Sequence, residues 1–172
     1  MKVVFLHGLE GGPHGHKPTR LRAANHEVIA PELPTKATRE LLMKRRAPLP
    51  ADIAAEPIRV AAEAVASAAP HVVVGSSFGG ALAASLTWGG PLVLMAPAAE
   101  KLVGVLSLPK RAGRVVIIHG RRDEVIPFED SVRLAAASAC DVALWLVDDD
   151  HRLHASVDAG LMDEALAWVT AR

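Results

Sequence analysis

The sequence contains few of the residues on which several functional classes depend. Among its 172 residues there is one cysteine, Cys140, there is no tyrosine, and only 3% are aromatic. A single cysteine excludes an internal disulfide and is compatible with a reducing compartment. So few aromatic side chains argue against the nucleic-acid modules that stack bases on aromatic platforms.

The sequence also lacks net charge and long apolar runs. Its 19 basic and 19 acidic residues cancel, so nothing in the charge favours nucleic acid or a membrane surface. No apolar run approaches the roughly 18 residues that span a bilayer. The four apolar residues 3–6 near the N-terminus are fewer than the about 7 to 15 of a secretory signal. We therefore expect a cytoplasmic protein that binds neither nucleic acid nor membrane, acts on a small molecule, and is a monomer or small homo-oligomer.

The apolar residues, 51% of the total, are grouped in short runs that predict buried strands. These runs are continuous rather than alternating, which is typical of parallel strands covered by helices on both faces. Segments with helical spacing separate them, so we expect right-handed βαβ crossovers and a three-layer α/β/α sandwich. The predicted strands are 3–6, 27–30, 72–74, 92–95, 115–118 and 142–147; the predicted helices are 19–25, 51–69, 78–88, 128–139 and 155–169. One domain over residues 1–172 is expected.

Two parts of this pattern leave local questions open. In segment 51–69, Asp52 is a possible N-cap and Pro57 a possible break. Segment 31–50 has four prolines and the basic cluster Lys44-Arg45-Arg46, which favours a loop with one exposed helical turn. Its alternative is a flap over the functional site, with residues 41–43 (Leu41, Leu42, Met43) facing the substrate.

The strongest chemical signal is the segment Gly75-Ser76-Ser77-Phe78-Gly79, which matches G-x-S-x-G. A buried strand precedes it and an Ala/Leu-rich helix follows, as a nucleophile elbow requires. Glycines on either side of Ser77 permit a tight turn that a side chain would obstruct. The hydroxyl then lies beside a helix N-terminus, where developing negative charge is stabilised. The alternative is a Gly/Ser-rich turn without chemistry.

A serine nucleophile needs a base and an acid to orient that base, in the chain order Ser, Asp/Glu, His. Asp123 follows the strand 115–118 and is the predicted acid; Glu124 is a weaker rival, and Asp123 could instead be a surface turn residue. His151 follows the last strand and is preferred over His154 as the base. Residues 148–150 (Asp148, Asp149, Asp150) could cap the final helix, or one could replace Asp123.

Two N–H groups must stabilise the oxyanion, and the backbone of Phe78 is expected to supply one. The second is expected from Leu9, with Glu10 as the alternative, in the glycine-rich loop after the first strand. This loop is not a phosphate-binding P-loop, because His16 precedes Lys17 and proline follows it. No cofactor or metal is predicted: His14 and His16 lack a third ligand with zinc-like spacing. His7 and His119 are expected to make structural hydrogen bonds.

Taken together, the motifs Leu6-His7-Gly8-Leu9-Glu10-Gly11-Gly12-Pro13, Gly75 to Gly80, and His119-Gly120 leading to Asp123 resemble the compact α/β-hydrolases. The small bacterial YqiA-like esterases and the retinoblastoma-binding-protein-9-like serine hydrolases are the nearest in pattern. The resemblance implies a reduced α/β-hydrolase sheet of about six parallel strands in the order 2-1-3-4-5-6. Because the interval 96–113 has room for one helix at most, it also implies a minimal cap, an open site and a small or exposed acyl group.

These patterns predict a serine hydrolase, specifically a carboxylesterase that cleaves short-chain acyl esters through an acyl-enzyme on Ser77. The same triad would serve a thioesterase or an amidase equally well. A non-catalytic binding module on a hydrolase scaffold is the alternative from a different class.

Overall fold

A computed structural model describes residues 1–44, 48–110 and 113–171. Its six strands form one parallel sheet in the order β2-β1-β3-β4-β5-β6, which confirms the α/β class, the parallel sheet and the expected order. The strands are β1 (Lys2–Leu6), β2 (Glu27–Ile29), β3 (Val72–Ser76), β4 (Leu92–Met95), β5 (Val115–Gly120) and β6 (Val142–Val147). The helices are α1 (His16–Ala23), α2 (Lys36–Met43), α3 (Ala51–Ala68), α4 (Phe78–Ser85), α5 (Ala99–Val103), α6 (Phe128–Ala137), α7 (His154–Asp158) and α8 (Leu161–Thr170).

Alternating strand residues bury the two faces of the sheet under separate sets of helices. In β1, Val4 and Leu6 join a core that includes residues of α3, α4, α5 and α6. Val3 and Phe5 join the opposite core, which includes residues of α1, α7 and α8. This arrangement is the predicted three-layer sandwich, and it explains why the strand runs are apolar without alternation.

Four differences between the helices and the sequence predictions concern a proline, a cap or a glycine. Helix α1 begins at His16, since Pro18 lies in the first turn, where no N–H is needed. Helix α3 passes through Pro57 without a break; Pro57 belongs to its buried face, and that burial outweighs one lost hydrogen bond. Pro50, not Asp52, is its N-cap. The predicted final helix is two helices, because Gly160 adopts a φ of 94° between them.

Segment 31–50 contains a longer helix than expected. Helix α2 spans eight residues rather than one turn, and Arg45 and Arg46 of the basic cluster lie outside the described residues. Leu41 and Leu42 pack against the core, while the Met43 side chain is 85% exposed. These positions do not face the cleft described below, so the structure does not support a flap built on them.

Parallel strands place the segments that follow them at one edge of the sheet. Residues that follow β1, β3, β5 and β6 therefore meet above the carboxyl ends of the strands. Between β4 and β5 the described residues contain one short helix, α5, as the short interval implied. No described helix combines the length and the apolar character needed to cross a membrane.

Candidate active site

Ser77 occupies a strained turn between β3 and α4. Its φ of 54° and ψ of −113° are unusual for a residue with a side chain. The Ser77 N–H donates to the Met95 carbonyl over 2.8 Å, and its carbonyl accepts the N–H groups of Ala81 and Ala98. These backbone bonds hold the turn in place and leave the hydroxyl at the sheet edge, the geometry of a nucleophile elbow.

The glycines of the elbow are required by close backbone contacts. A Cβ at Gly79 would lie 1.9 Å from the carbonyl oxygen of Leu6, and one at Gly75 would lie 2.5 Å from the carbonyl oxygen of Gly79. No side chain can occupy such a space. Helix α4 therefore approaches β1 closely enough to bring Ser77 beside the loop that follows β1.

The structure brings the three predicted catalytic side chains into one hydrogen-bonded chain. His151 Nε2 lies 2.9 Å from Ser77 Oγ. His151 Nδ1 lies 2.7 Å from Asp123 Oδ2. With the proton on Nδ1, Nε2 is free to accept the hydroxyl proton of Ser77, which is the arrangement a Ser-His-Asp triad uses.

The Asp123 carboxylate is saturated with donors although its side chain is fully buried. Oδ1 accepts the N–H groups of Val125 and Ile126, each over 2.8 Å. Oδ2 accepts His151 and, over 3.0 Å, His119 Nε2. Burial raises the pKa of Asp123, but the hydrogen bonds from His119, His151 and the two amides outweigh it and hold that pKa well below its ordinary value. Asp123 is therefore a stable anion opposite His151.

The loops that carry Asp123 and His151 are tied to each other. A Cβ at Gly120 would lie 2.3 Å from the Asp149 carbonyl oxygen, so a glycine is needed where the loops cross. The Arg122 N–H donates to that carbonyl over 3.0 Å. The buried Asp149 carboxylate accepts the Ser156 N–H of α7, which fixes the start of the segment after His151.

The two predicted oxyanion donors, the backbone N–H groups of Phe78 and Leu9, belong to segments that adjoin Ser77. Phe78 is the first residue of α4, where the amide has no intrahelical partner. Gly8 lies against Ser77, since a Cβ there would be 3.3 Å from Ser77 Cβ. The Gly8 carbonyl accepts from His7 Nδ1 and from the Gly11 N–H. Because a trans peptide directs its N–H opposite to its carbonyl, these bonds fix the direction of the Leu9 N–H.

The N–H of the alternative donor, Glu10, belongs to the same peptide as the Leu9 carbonyl, which has a different partner from the Gly8 carbonyl. The Leu9 carbonyl accepts the Arg39 guanidinium of α2. This bond fixes the peptide whose N–H belongs to Glu10. Of the two amides, that of Leu9 is joined directly to the glycine in contact with Ser77, so Leu9 stays the preferred donor.

A cleft of about 980 Å³ opens above Ser77 and His151. Its walls combine glycines of the loop after β1 with residues of the acid and base loops and the start of α1. Lys17 lies in this wall, and its Nζ donates to the Arg152 carbonyl over 2.6 Å. Burial lowers the pKa of Lys17 to about 8, partly opposed by Asp149 and Asp150.

The rival candidates lie elsewhere or have other partners. The side chain of Asp148 pairs with Arg122, and that of Asp150 accepts the Arg152 N–H. The side chain of Asp149 accepts the Ser156 N–H in α7, the first part of the predicted final helix, as a helix cap would. The His154 ring packs 4.3 Å from that of His16. None of these side chains has a hydrogen bond to Ser77 or His151 among the described residues, and the exposed Glu124 has none either.

Three contacts escaped sequence reasoning: the Arg39 and Lys17 bonds to loop carbonyls, and the bond from His119 to Asp123. For the bond from His119 to Asp123, the sequence offered one signal: His119 was expected to make a structural hydrogen bond. His16 binds Asp158. In the described part of the chain, no three His, Cys, Asp or Glu side chains are grouped to hold a metal ion.

Comparison with known proteins agrees with this fold. The family model described as "Alpha/beta hydrolase family" matches residues 3–172. An α/β-superfamily protein from Xanthomonas campestris is 24% identical, with a TM-score of 0.63 over 98% of this chain and 96% of that one. An α/β-hydrolase enzyme from a lagoon-sediment metagenome is 20% identical (TM-score 0.66; 95% and 89% covered). Est1E from Butyrivibrio proteoclasticus is 16% identical (TM-score 0.59; 96% and 88% covered).

The family match covers nearly the whole chain, so the protein belongs to the alpha/beta hydrolase family. Membership of that family supports a hydrolase, and the structural neighbours share its fold. No curated protein matches the sequence, and the likeness to the YqiA-like and retinoblastoma-binding-protein-9-like subfamilies stays a prediction.

Proposed function

We propose that this protein is a serine carboxylesterase that hydrolyses esters of small acyl groups. The observation that carries the proposal is the continuous chain of contacts from Ser77 Oγ through His151 to Asp123, at 2.9 and 2.7 Å. A serine hydroxyl is a poor nucleophile without an adjacent base, and this arrangement provides an oriented one.

In the proposed reaction, Ser77 Oγ attacks the ester carbonyl carbon while His151 Nε2 takes the hydroxyl proton. The carbonyl oxygen becomes an oxyanion held by the N–H groups of Leu9 and Phe78, each worth about 3 to 4 kcal/mol of barrier. The tetrahedral intermediate collapses, the alkoxide leaves with the proton from His151, and an acyl-enzyme stays on Ser77. Water, deprotonated by His151, then releases the carboxylic acid and restores the serine.

Asp123 keeps its negative charge throughout this cycle. It holds the His151 ring with Nδ1 protonated and stabilises the imidazolium that forms in each half-reaction. Its donors explain how a buried carboxylate stays ionised in this role.

The preference for a small acyl group follows from what covers the cleft. Only α5 lies between β4 and β5 among the described residues, so no cap domain encloses a long acyl chain there. The wall of the cleft includes Lys17, Arg122, Arg152, Glu10 and Glu124 as well as glycines. A mixed, partly charged wall suits a short acyl group better than a long alkyl chain.

The test is steady-state hydrolysis of p-nitrophenyl esters of increasing acyl length, with matched thioester and anilide substrates. We expect the highest kcat/KM with acetate or propionate esters and no turnover by Ser77→Ala. A preference for the thioester or the anilide would move the assignment to a thioesterase or an amidase with the same triad. A folded wild type with no turnover of any substrate would favour the non-catalytic binding module.

A further inference from the structure

His119 is a buried ionisable side chain with no part in the steps above. It lies near the end of β5 with 0% of its surface exposed. Its Nδ1 is 2.7 Å from the hydroxyl of Ser131 on α6. Its Nε2 is 3.0 Å from Asp123 Oδ2 and 3.1 Å from the carbonyl oxygen of Ile126.

The partners of His119 show that its Nε2 carries a proton. A carboxylate oxygen and a carbonyl oxygen can only accept, so Nε2 must be the donor to Asp123 and Ile126. The Ser131 hydroxyl can donate as well as accept, so it can satisfy Nδ1 whether or not that nitrogen carries a proton. Ser131 is 1% exposed. The His119–Ser131 pair therefore lies inside the protein, where the surrounding packing holds both side chains in place.

We propose that His119, oriented by Ser131, is a positioning residue that holds the Asp123 carboxylate against His151. The inference rests on the proposed function of the triad and adds a fourth side chain to it. His119 and His151 donate to the same atom, Asp123 Oδ2, from β5 and from the loop after β6. Among the described residues, His151 would be the only side chain bound to Oδ2 without His119, and His151 is the residue that Asp123 has to orient.

No Lys or Arg in the described residues holds the Asp123 carboxylate in place of His119. Asp123 has no Lys or Arg within ion-pair distance there; its contacts of that kind are His119 and His151. The buried charge is therefore balanced by N–H donors. Removing the His119 bond leaves Oδ1 held by its two amides but Oδ2 less firmly held against the His151 Nδ1–H.

The experiment compares His119→Leu and His119→Gln with the wild type in the hydrolysis of p-nitrophenyl acetate. A misplacement of about 1 Å in a catalytic group can cost about 100-fold in rate, so we expect His119→Leu to lower kcat by about 10- to 100-fold with little change in KM. Glutamine can place an N–H donor near the position of Nε2, so His119→Gln should recover kcat to within a few-fold of the wild type.

Val116→Ala is the matched control for loss of stability. Val116 is fully buried in the same strand, but it belongs to the core on the opposite face of the sheet. It should lower the melting temperature and leave kcat unchanged. A purely structural role for His119 predicts that His119→Leu behaves like this control.

A second readout is the far-downfield ¹H NMR signal of the proton on His151 Nδ1. We expect this signal to shift or broaden in His119→Leu and to be retained in Val116→Ala. A folded His119→Leu with full kcat and an unchanged signal would overturn the proposal. If His119→Leu fails to fold, the test uses Ser131→Ala, which removes the partner of His119 Nδ1. Full kcat and an unchanged NMR signal in Ser131→Ala would also overturn the proposal.

Failure of the proposed function gives a different result. If the wild type itself neither hydrolyses the ester nor reacts with a fluorophosphonate at Ser77, the triad assignment is wrong and this inference falls with it. If the wild type is active and the His119 and Ser131 variants are too, only the positioning role is wrong.

Discussion

The contact between α4 and β1 makes a sharp prediction for Gly79→Ala. The added Cβ would lie 1.9 Å from the Leu6 carbonyl oxygen and 2.7 Å from the His7 carbonyl oxygen. Both are backbone atoms, so no side chain can rotate away to make room. A Cβ needs about 3 Å from such an atom, so α4 and β1 must separate by about 1 Å.

The cost of this separation can be estimated. Overpacking of a core typically destabilises by about 1 to 3 kcal/mol, and a backbone clash belongs at the upper end of that range. For a domain of this size each kcal/mol lowers the melting temperature by about 2 to 4 °C, so we expect a decrease of roughly 6 to 12 °C. Because α4 begins directly after Ser77, the same movement displaces the nucleophile from His151, and kcat should fall by about 100-fold.

Thermal unfolding followed by circular dichroism, and hydrolysis of p-nitrophenyl acetate, measure the two effects. Gly89→Ala is the matched control, because a Cβ there has no atom within 4 Å and Gly89 lies outside the site. It should change stability by no more than about 0.5 kcal/mol. If Gly79→Ala were as stable and as active as Gly89→Ala, the close approach of α4 to β1 would be wrong, and with it the reason for the elbow glycines.

Four further predictions concern the triad and its surroundings. His151→Ala should lose at least about 1,000-fold in kcat, whereas His154→Ala should keep most of it; a reversed result would make His154 the base. Asp123→Asn should lower kcat by about 10,000-fold. Since the pKa of Asp123 is lowered by folding, its ionisation stabilises the protein above the unfolded pKa of about 4. Urea titrations give the unfolding free energies of the wild type and of Asp123→Asn. The amount by which the wild type is more stable should therefore decrease as the pH falls from 5 to 2. Folding lowers the pKa of Lys17 to about 8, so the unfolding free energy of the wild type relative to Lys17→Met should rise between pH 8 and 10; a constant difference would contradict the burial of that ammonium group.

Much of the fold follows from short-range patterns in the sequence. The apolar runs that become β1, β3, β4 and β5 are buried on both faces, so their signal does not depend on which helix covers them. The elbow was recognisable for a similar reason: a strand, a tight Gly/Ser turn and a helix are neighbours in the chain. Asp123 and His151 could then be proposed from their positions after β5 and β6, because parallel strands end at one edge.

The errors and omissions have physical causes that a local pattern does not contain. Pro57 lies inside α3 on its buried face, and the local sequence does not show that the helix continues through it. The end of α7 depends on the backbone of Gly160. The bonds from His119 to Asp123, from Lys17 to the Arg152 carbonyl and from Arg39 to the Leu9 carbonyl join elements that are remote in the chain or that meet only when a loop closes.

The measurement that tests the central claim most directly is the intact mass of the protein after treatment with a fluorophosphonate, for the wild type and for Ser77→Ala. An activated Ser77 predicts a single adduct on the wild type, mapped to Ser77 by peptide mass spectrometry, and none on the variant. A well-folded wild type without an adduct, or an adduct that persists in Ser77→Ala, would contradict the assignment of Ser77 as the nucleophile.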